Sequence, residues 1–204
     1  MIESVEYRVF KKIKKAKGGS LFFIDSFASI ANSKAVNKAL ERLVKSGEIH
    51  RVAKGIYVRP ISDRILGSIL PNIDEIAIAI AKRDKARISP TGSYALYKLG
   101  FTTQVPLNIV YYTDASARKI RIGKQTITFK RASSKNLAAI GDISKLAIQA
   151  LKAIGKENVK EEEIKKIQDL LRKEKTYHLM HDLRLAPEWI RTLIGPIKAN
   201  TTNE

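Results

Sequence analysis

Between Val5 and Arg59 the spacing of apolar residues changes character several times, and that order narrows the fold more than any other feature of the chain. Val5, Val9, Phe10 and Ile13 recur at helical spacing, with Arg8, Lys11, Lys12 and Lys15 between them. Gly18-Gly19 stops that helix, and Leu21-Phe22-Phe23-Ile24 follows as a short apolar strand or turn. Asp25 or Ser26 can cap a short helix through Phe27, Ala28 and Ile30, and Asn32-Ser33 breaks and recaps the chain. A third helix is predicted over Lys34–Ser46. Its inward stripe is Val36, Leu40, Leu43 and Val44; its outward stripe is Lys34, Asn37, Lys38, Glu41 and Lys45. After Gly47, Glu48–Pro60 reads as two short strands about a turn near Ala53–Gly55. Helix, short helix, helix and hairpin is the order of a winged helix-turn-helix, expected over residues 1–60.

Residues 61–75 read as a connector with room for one helical turn. Asn72 or Asp74 can then cap a helix over Glu75–Lys82, and a helical piece from Tyr94 to Leu99 closes at Gly100. Asn108–Thr113 is a strand by its β-branched and aromatic content, and Arg118–Arg131 is a hairpin about Gly123-Lys124. Helices are predicted at Ile143–Ile154, Val159–Lys175, Tyr177–Leu183 and Pro187–Ile194, the last with proline in its first turn. The fold class expected is α+β: an N-terminal winged helix-turn-helix, then a mixed α/β domain over 76–197 ending in a helical segment, and a flexible tail at 198–204.

Charge limits the partners. Thirty-eight Lys and Arg against twenty Asp and Glu leave +18 in 204 residues. Residues 1–60 and 61–140 each hold 13 basic and 5 acidic side chains, whereas 141–204 holds 12 and 10. Such an excess repels itself and points to a polyanion. No run of eighteen apolar residues suggests a membrane span, and Met1–Glu6 lacks the basic and apolar regions of a secretory signal, so a cytoplasmic location without membrane contact is expected. The absence of cysteine excludes disulfides, thiolate zinc sites and a cysteine nucleophile.

In a helix-turn-helix, residues in the first half of the second helix meet base edges; here these are Ser33, Lys34, Asn37 and Lys38. Lys can donate to guanine, and Asn can pair with adenine through two hydrogen bonds. Arg42 and Lys45 lie further along and suit phosphate, as do Arg51 and Lys54 beside Gly55 in the wing. The hairpin Arg118–Arg131 carries six basic residues and no acid. Alternation puts Ile120, Ile122, Ile127 and Phe129 inward. It puts Lys119, Arg121, Thr126, Thr128 and Lys130 outward, a face that with Lys124 suits phosphates or simply protects a sheet edge. Signals for catalysis are weak. His178 and His181 are spaced i, i+3 without an HExxH setting, and the acids around them read as helix surface. Glu161-Glu162-Glu163 suits the first turn of a helix. No serine has a GxSxG setting and no Gly-rich run forms a GxxxxGK loop, so no catalytic residue, metal or cofactor is expected.

The sequence resembles the AbiEi-type antitoxins of type IV toxin–antitoxin systems. The resemblance runs through Gly19-Ser20-Leu21-Phe22 before Asp25, Val36–Leu43, Gly47-Glu48-Ile49-His50-Arg51 and Gly55-Ile56-Tyr57. It continues through Ile88–Leu96 to Leu99-Gly100-Phe101 and covers about residues 1–135; the C-terminal helices match more loosely. The resemblance implies a transcriptional autorepressor of phage-defence systems that binds inverted repeats in the duplex operator upstream of its own operon. It further implies a nucleotidyltransferase-like toxin as functional partner, countered without a stable complex. From residues alone, an RNA-binding module or a nucleic-acid-processing enzyme with a winged-helix head stays open beside it. RNA binding would favour exposed aromatics, whereas Tyr111, Tyr112 and Phe129 read as core.

Overall fold

The computed structural model describes residues 3–65 and 67–195. The tail expected at 198–204 and the last two residues of the expected second domain lie outside them. The fold is α+β, with eight α-helices and three sheets among the described residues. The chain divides into one unit comprising Met1–Ile80 with Arg121–Gly123, and a second comprising Ala81–Ile120 with Lys124–Glu204.

In the first unit, α1 (Val5–Lys15) starts at Ser4, whose Oγ accepts from Tyr7 N at 3.2 Å. The carbonyls left over at its far end are met by Arg59, whose guanidinium donates to Lys14 O at 2.7 Å and also to Ala16 O. β1 (Leu21–Phe23) leads into a single 3₁₀ turn, Ile24–Phe27, shorter than the helix expected to Ile30. Ser26 does not cap it from outside; it sits within the turn and its Oγ accepts from Phe23 N at 3.0 Å. α2 (Ser33–Lys45) is capped by Asn32, whose Oδ1 accepts from Ala35 N at 2.9 Å. Gly47, at φ +78°, ends the helix in the left-handed conformation that costs a β-carbon most. β2 (His50–Ala53) and β3 (Ile56–Val58) flank the turn Lys54-Gly55, and with β1 they form an antiparallel sheet in the order β1-β3-β2. Val9, Ile13, Phe27, Val36, Leu40 and Ile49 are each at most 1% exposed and belong to one core. Burying such a side chain contributes about 1.5–3 kcal/mol.

Residues 61–75 differ from expectation. β4 (Ile61–Asp63) and β5 (Gly67–Ile69) form a two-stranded antiparallel hairpin whose strand residues are all exposed. Asp63 Oδ1 accepts from Ile65 N at 2.8 Å, a local bond that reverses the chain instead of winding it into a helical turn. α3 (Ile73–Arg83) follows, capped reciprocally: Glu75 N donates to Asn72 Oδ1 at 3.0 Å and Asn72 N donates to Glu75 Oε2 at 2.7 Å.

A four-stranded sheet follows, all of it in the second unit except Arg121 and Ile122. Its strands are β6 (Ile88–Pro90), β7 (Asn108–Thr113), β8 (Arg118–Ile122) and β9 (Gln125–Arg131), in the order β6-β7-β9-β8. β7 runs antiparallel to β6 and parallel to β9. Registers Ile109↔Ile127 and Tyr111↔Phe129 place four buried side chains on one face, the two rings stacked 6.0 Å apart. Tyr94 of α4 (Ser93–Lys98) meets Tyr111 edge-on at 5.8 Å. The remaining helices are α5 (Asp142–Ile154), α6 (Glu161–Leu171), α7 (Thr176–Leu185) and α8 (Glu188–Ile194). The long helix expected over Val159–Lys175 is thus shorter at both ends, and Pro187 is the cap of α8 rather than a residue of its first turn.

The start of α5 is held by carboxylates from elsewhere in the chain. Its cap, Gly141, has no side chain to offer. Asp182 Oδ1 accepts from Ile140 N at 2.8 Å, and its Oδ2 accepts from Gly141 N at 2.9 Å and from Ser144 Oγ at 2.5 Å. Glu174 Oε2 accepts from Ile143 N at 2.7 Å and Ser144 N at 3.1 Å. Four backbone donors at the helix start are thereby satisfied. The acids read as helix surface are therefore interior: Asp182 is 0% exposed and Glu174 is 9% exposed. Burial pushes both carboxyls up, but the donors around them prevail and hold both below their ordinary values.

Candidate nucleic-acid interface

The faces of α2 follow from its sequence. Val36, Ala39, Leu40 and Leu43 are buried, which fixes the rotation of the helix. Ser33, Lys34, Lys38, Glu41 and Lys45 are exposed on the opposite side, with Asn37 half-buried at its border. From Lys34 to Lys45 this face runs roughly 16 Å. Lys34, Lys38 and Lys45 have no ion-pair or hydrogen-bond partner among the described residues. Arg42 differs: its Nη1 lies 3.1 Å from Glu6 Oε2, so its charge is partly engaged by α1.

Arg51 is exposed on β2, opposite Tyr57, and Lys54 is exposed in the turn before Gly55. Gly55 adopts φ +75°, which keeps that turn tight. Neither cation has a partner among the described residues. Two other basic residues of this unit are occupied internally. Arg59 closes α1, and Lys12 Nζ donates to Ser26 O at 2.5 Å while lying over the Phe27 ring. The +8 of residues 1–60 is thus unevenly available, and its uncommitted part includes α2 and the β2–β3 turn.

On the β8–β9 hairpin, Lys119, Arg121, Lys124 and Lys130 are exposed, and Ile127 and Phe129 are buried as alternation requires. Ile120 and Ile122 are half-buried. Thr128 departs from the expected outward face: it is 5% exposed and its Oγ1 donates to Asn108 Oδ1 at 2.6 Å. The reason is topological, since β9 lies between β7 and β8 rather than at an edge. Arg118 is also withdrawn from the basic face. Its guanidinium pairs with Asp84 and lies over the Phe129 ring at 5.4 Å, and burial lowers its affinity for the proton.

Histidine chemistry does not assemble. His178 Nδ1 lies 3.4 Å from Glu174 Oε1 and His181 Nδ1 lies 2.9 Å from Asp182 Oδ1, so each ring faces a different carboxylate of the α5 clamp. No cluster of three His, Asp or Glu suited to a metal occurs among the described residues. Of the aromatics, Tyr111 and Phe129 are buried and Tyr112 is half-buried, which removes stacking platforms from this part of the sheet. No helix among the described residues is long and apolar enough to cross a membrane.

These features define an α+β protein whose first unit presents a helix with an uncompensated cationic face. The chain belongs to DUF6088, a family of unknown function, whose model matches residues 8–179. No curated protein matches the sequence. Among solved structures the chain is similar to the crystal structure of RV2827C protein from Mycobacterium tuberculosis. The two share 11% identity at a TM-score of 0.47, over 95% of this chain and 82% of that one.

Proposed function

We propose that the protein is a duplex DNA-binding repressor whose first 60 residues act as a winged helix-turn-helix. α2 is the reading helix and the Lys54-Gly55 turn is the tip of the wing. One observation carries this reading: the exposed face of α2 holds three lysines with no partner among the described residues, on a helix whose other face is locked into the core. Unpaired cations held at fixed spacing are what a phosphate-lined groove neutralises. The burial of Tyr111 and Phe129 keeps those two rings from stacking on bases.

In this reading Ser33, Lys34, Asn37 and Lys38 meet base edges, and Lys45, Arg51 and Lys54 meet phosphate. Asn37→Ala and Lys38→Ala should each remove about 1–3 kcal/mol of preference for the right site over others. Arg51→Ala and Lys54→Ala should weaken all duplexes alike, because phosphate contacts carry no sequence information. Anisotropy titrations against a selected site and a scrambled one separate the two effects. Unchanged discrimination in Asn37→Ala would remove α2 from the reading role.

The biological setting we propose is that of a type IV antitoxin acting in the cytoplasm. The protein would bind inverted repeats before its own operon and counter a nucleotidyltransferase-like toxin, by binding rather than by turnover. This rests on the resemblance carried by Val36–Leu43, Gly47–Arg51 and Ile88–Leu96. Co-expression with a nucleotidyltransferase encoded beside it should restore growth that the nucleotidyltransferase alone arrests; continued arrest would count against the antitoxin role.

A further inference from the structure

We infer that Glu41 is a specificity-determining residue of α2, accepting a hydrogen bond from the exocyclic amine of a cytosine in the major groove; this rests on the reading of α2 as the DNA-facing helix. Glu41 is exposed in the middle of the cationic face, three residues after Lys38 and four before Lys45. At those spacings ion pairs close readily along a helix. Glu41 makes neither pair and has no other partner among the described residues, whereas Arg42 beside it reaches across to Glu6. Its carboxylate is therefore presented outward with its acceptors unfilled.

A carboxylate so placed is a burden for binding a polyanion, since it lowers affinity for every phosphate it approaches. The groove offers it compensation only where a base presents a donor. Major-groove donors are the amines of cytosine and adenine, and a carboxylate, which accepts only, matches the lone N4 amine of cytosine. Adenine pairs its amine with the acceptor N7, a pattern that suits the amide of Asn37 and not a carboxylate. Seven residues along the helix from Lys34, Glu41 stands about 10.5 Å further on, roughly three base-pair steps. Lys34, Asn37 and Glu41 thus present a donor, a donor–acceptor pair and an acceptor in order along one face. Such a set rejects wrong bases as well as accepting right ones.

Selection of duplexes from a randomised library by the full-length protein, read by sequencing, tests this. The wild type should enrich cytosine at one fixed position of its site. Glu41→Ala should lower that enrichment roughly ten-fold at this position alone, and should bind unselected duplex more tightly because a negative charge is gone. Glu41→Gln should move the preference at the same position toward adenine, since glutamine pairs with its N6 and N7; a surface residue without base contact would produce no such shift. Enrichment unchanged at every position in both variants, with the wild type selecting a site, would overturn the role of Glu41 and leave α2 as the reader. A wild type that enriches no duplex would remove the reading of α2 itself and Glu41 with it.

Discussion

Asp182→Ala is expected to lower stability by about 3–5 kcal/mol, the range for removing one partner from a buried charged network. The substitution strips the acceptor from Ile140 N, Gly141 N and the Ser144 hydroxyl; Gly141 and Ser144 are buried and so left without a replacement partner from water. A drop of roughly 10 °C in the thermal midpoint should follow. Gly141→Ala should act on the same clamp sterically, because a β-carbon there would lie 2.1 Å from Ser144 Oγ and 2.6 Å from Glu174 Oε2. The pH dependence has a definite sign. Both carboxyls titrate below their ordinary values of 3.8 and 4.5, so the folded protein binds fewer protons than the unfolded chain across that interval. The clamp's contribution is therefore complete above about pH 4.5 and is lost as pH falls through the depressed folded values. Calorimetry between pH 3 and 7 checks this: wild type and Asp182→Ala should converge toward the acid end. A constant gap over the whole range would contradict the assignment.

The second large effect is electrostatic. Seven exposed cations have no ion pair among the described residues: Lys45, Arg51, Lys54, Lys119, Arg121, Lys124 and Lys130. If each neutralises one phosphate, log affinity should fall against log salt with a slope of about −6, a loss of roughly 10³- to 10⁴-fold between 50 and 200 mM. Reversing Lys119, Arg121, Lys124 and Lys130 to glutamate should weaken all duplexes and reduce the slope by about 3 to 4, while the preferred site stays preferred. An unchanged slope would assign the hairpin to other work, and Lys119 to the protection of a sheet edge.

How much of this was legible in the sequence depends on how local each determinant is. Asn32 capping α2, Gly47 ending it and Gly55 in the β2–β3 turn are residue types whose conformational preference is intrinsic, and each sits where expected. The faces of α2 were legible for a similar reason, since period alone decides which residues can reach a core. Remote partners decided what period could not. The placement of Thr128 depends on β7 lying beside β9, twenty residues away in sequence, and no alternation pattern encodes that neighbour. Asp182 and Glu174 looked like surface acids because their partners, the amides at 140–144, lie some thirty to forty positions earlier. β6 has no expectation to match, since three residues ending in proline carry too little pattern. For the candidate interface, the residue types were visible but their availability was not: only the structure separates engaged Arg42, Arg59 and Arg118 from unpaired Lys34, Lys38 and Lys45.

If α2 and the Lys54-Gly55 turn dock on duplex DNA as proposed, duplex should outcompete RNA for the protein. A competition titration tests it most directly: the full-length protein on a labelled duplex at about 150 mM salt, challenged with unlabelled duplex or with single-stranded RNA of matching sequence. Displacement by the duplex is expected at concentrations at least about ten-fold lower than by the RNA. Displacement by RNA at equal or lower concentration would contradict it.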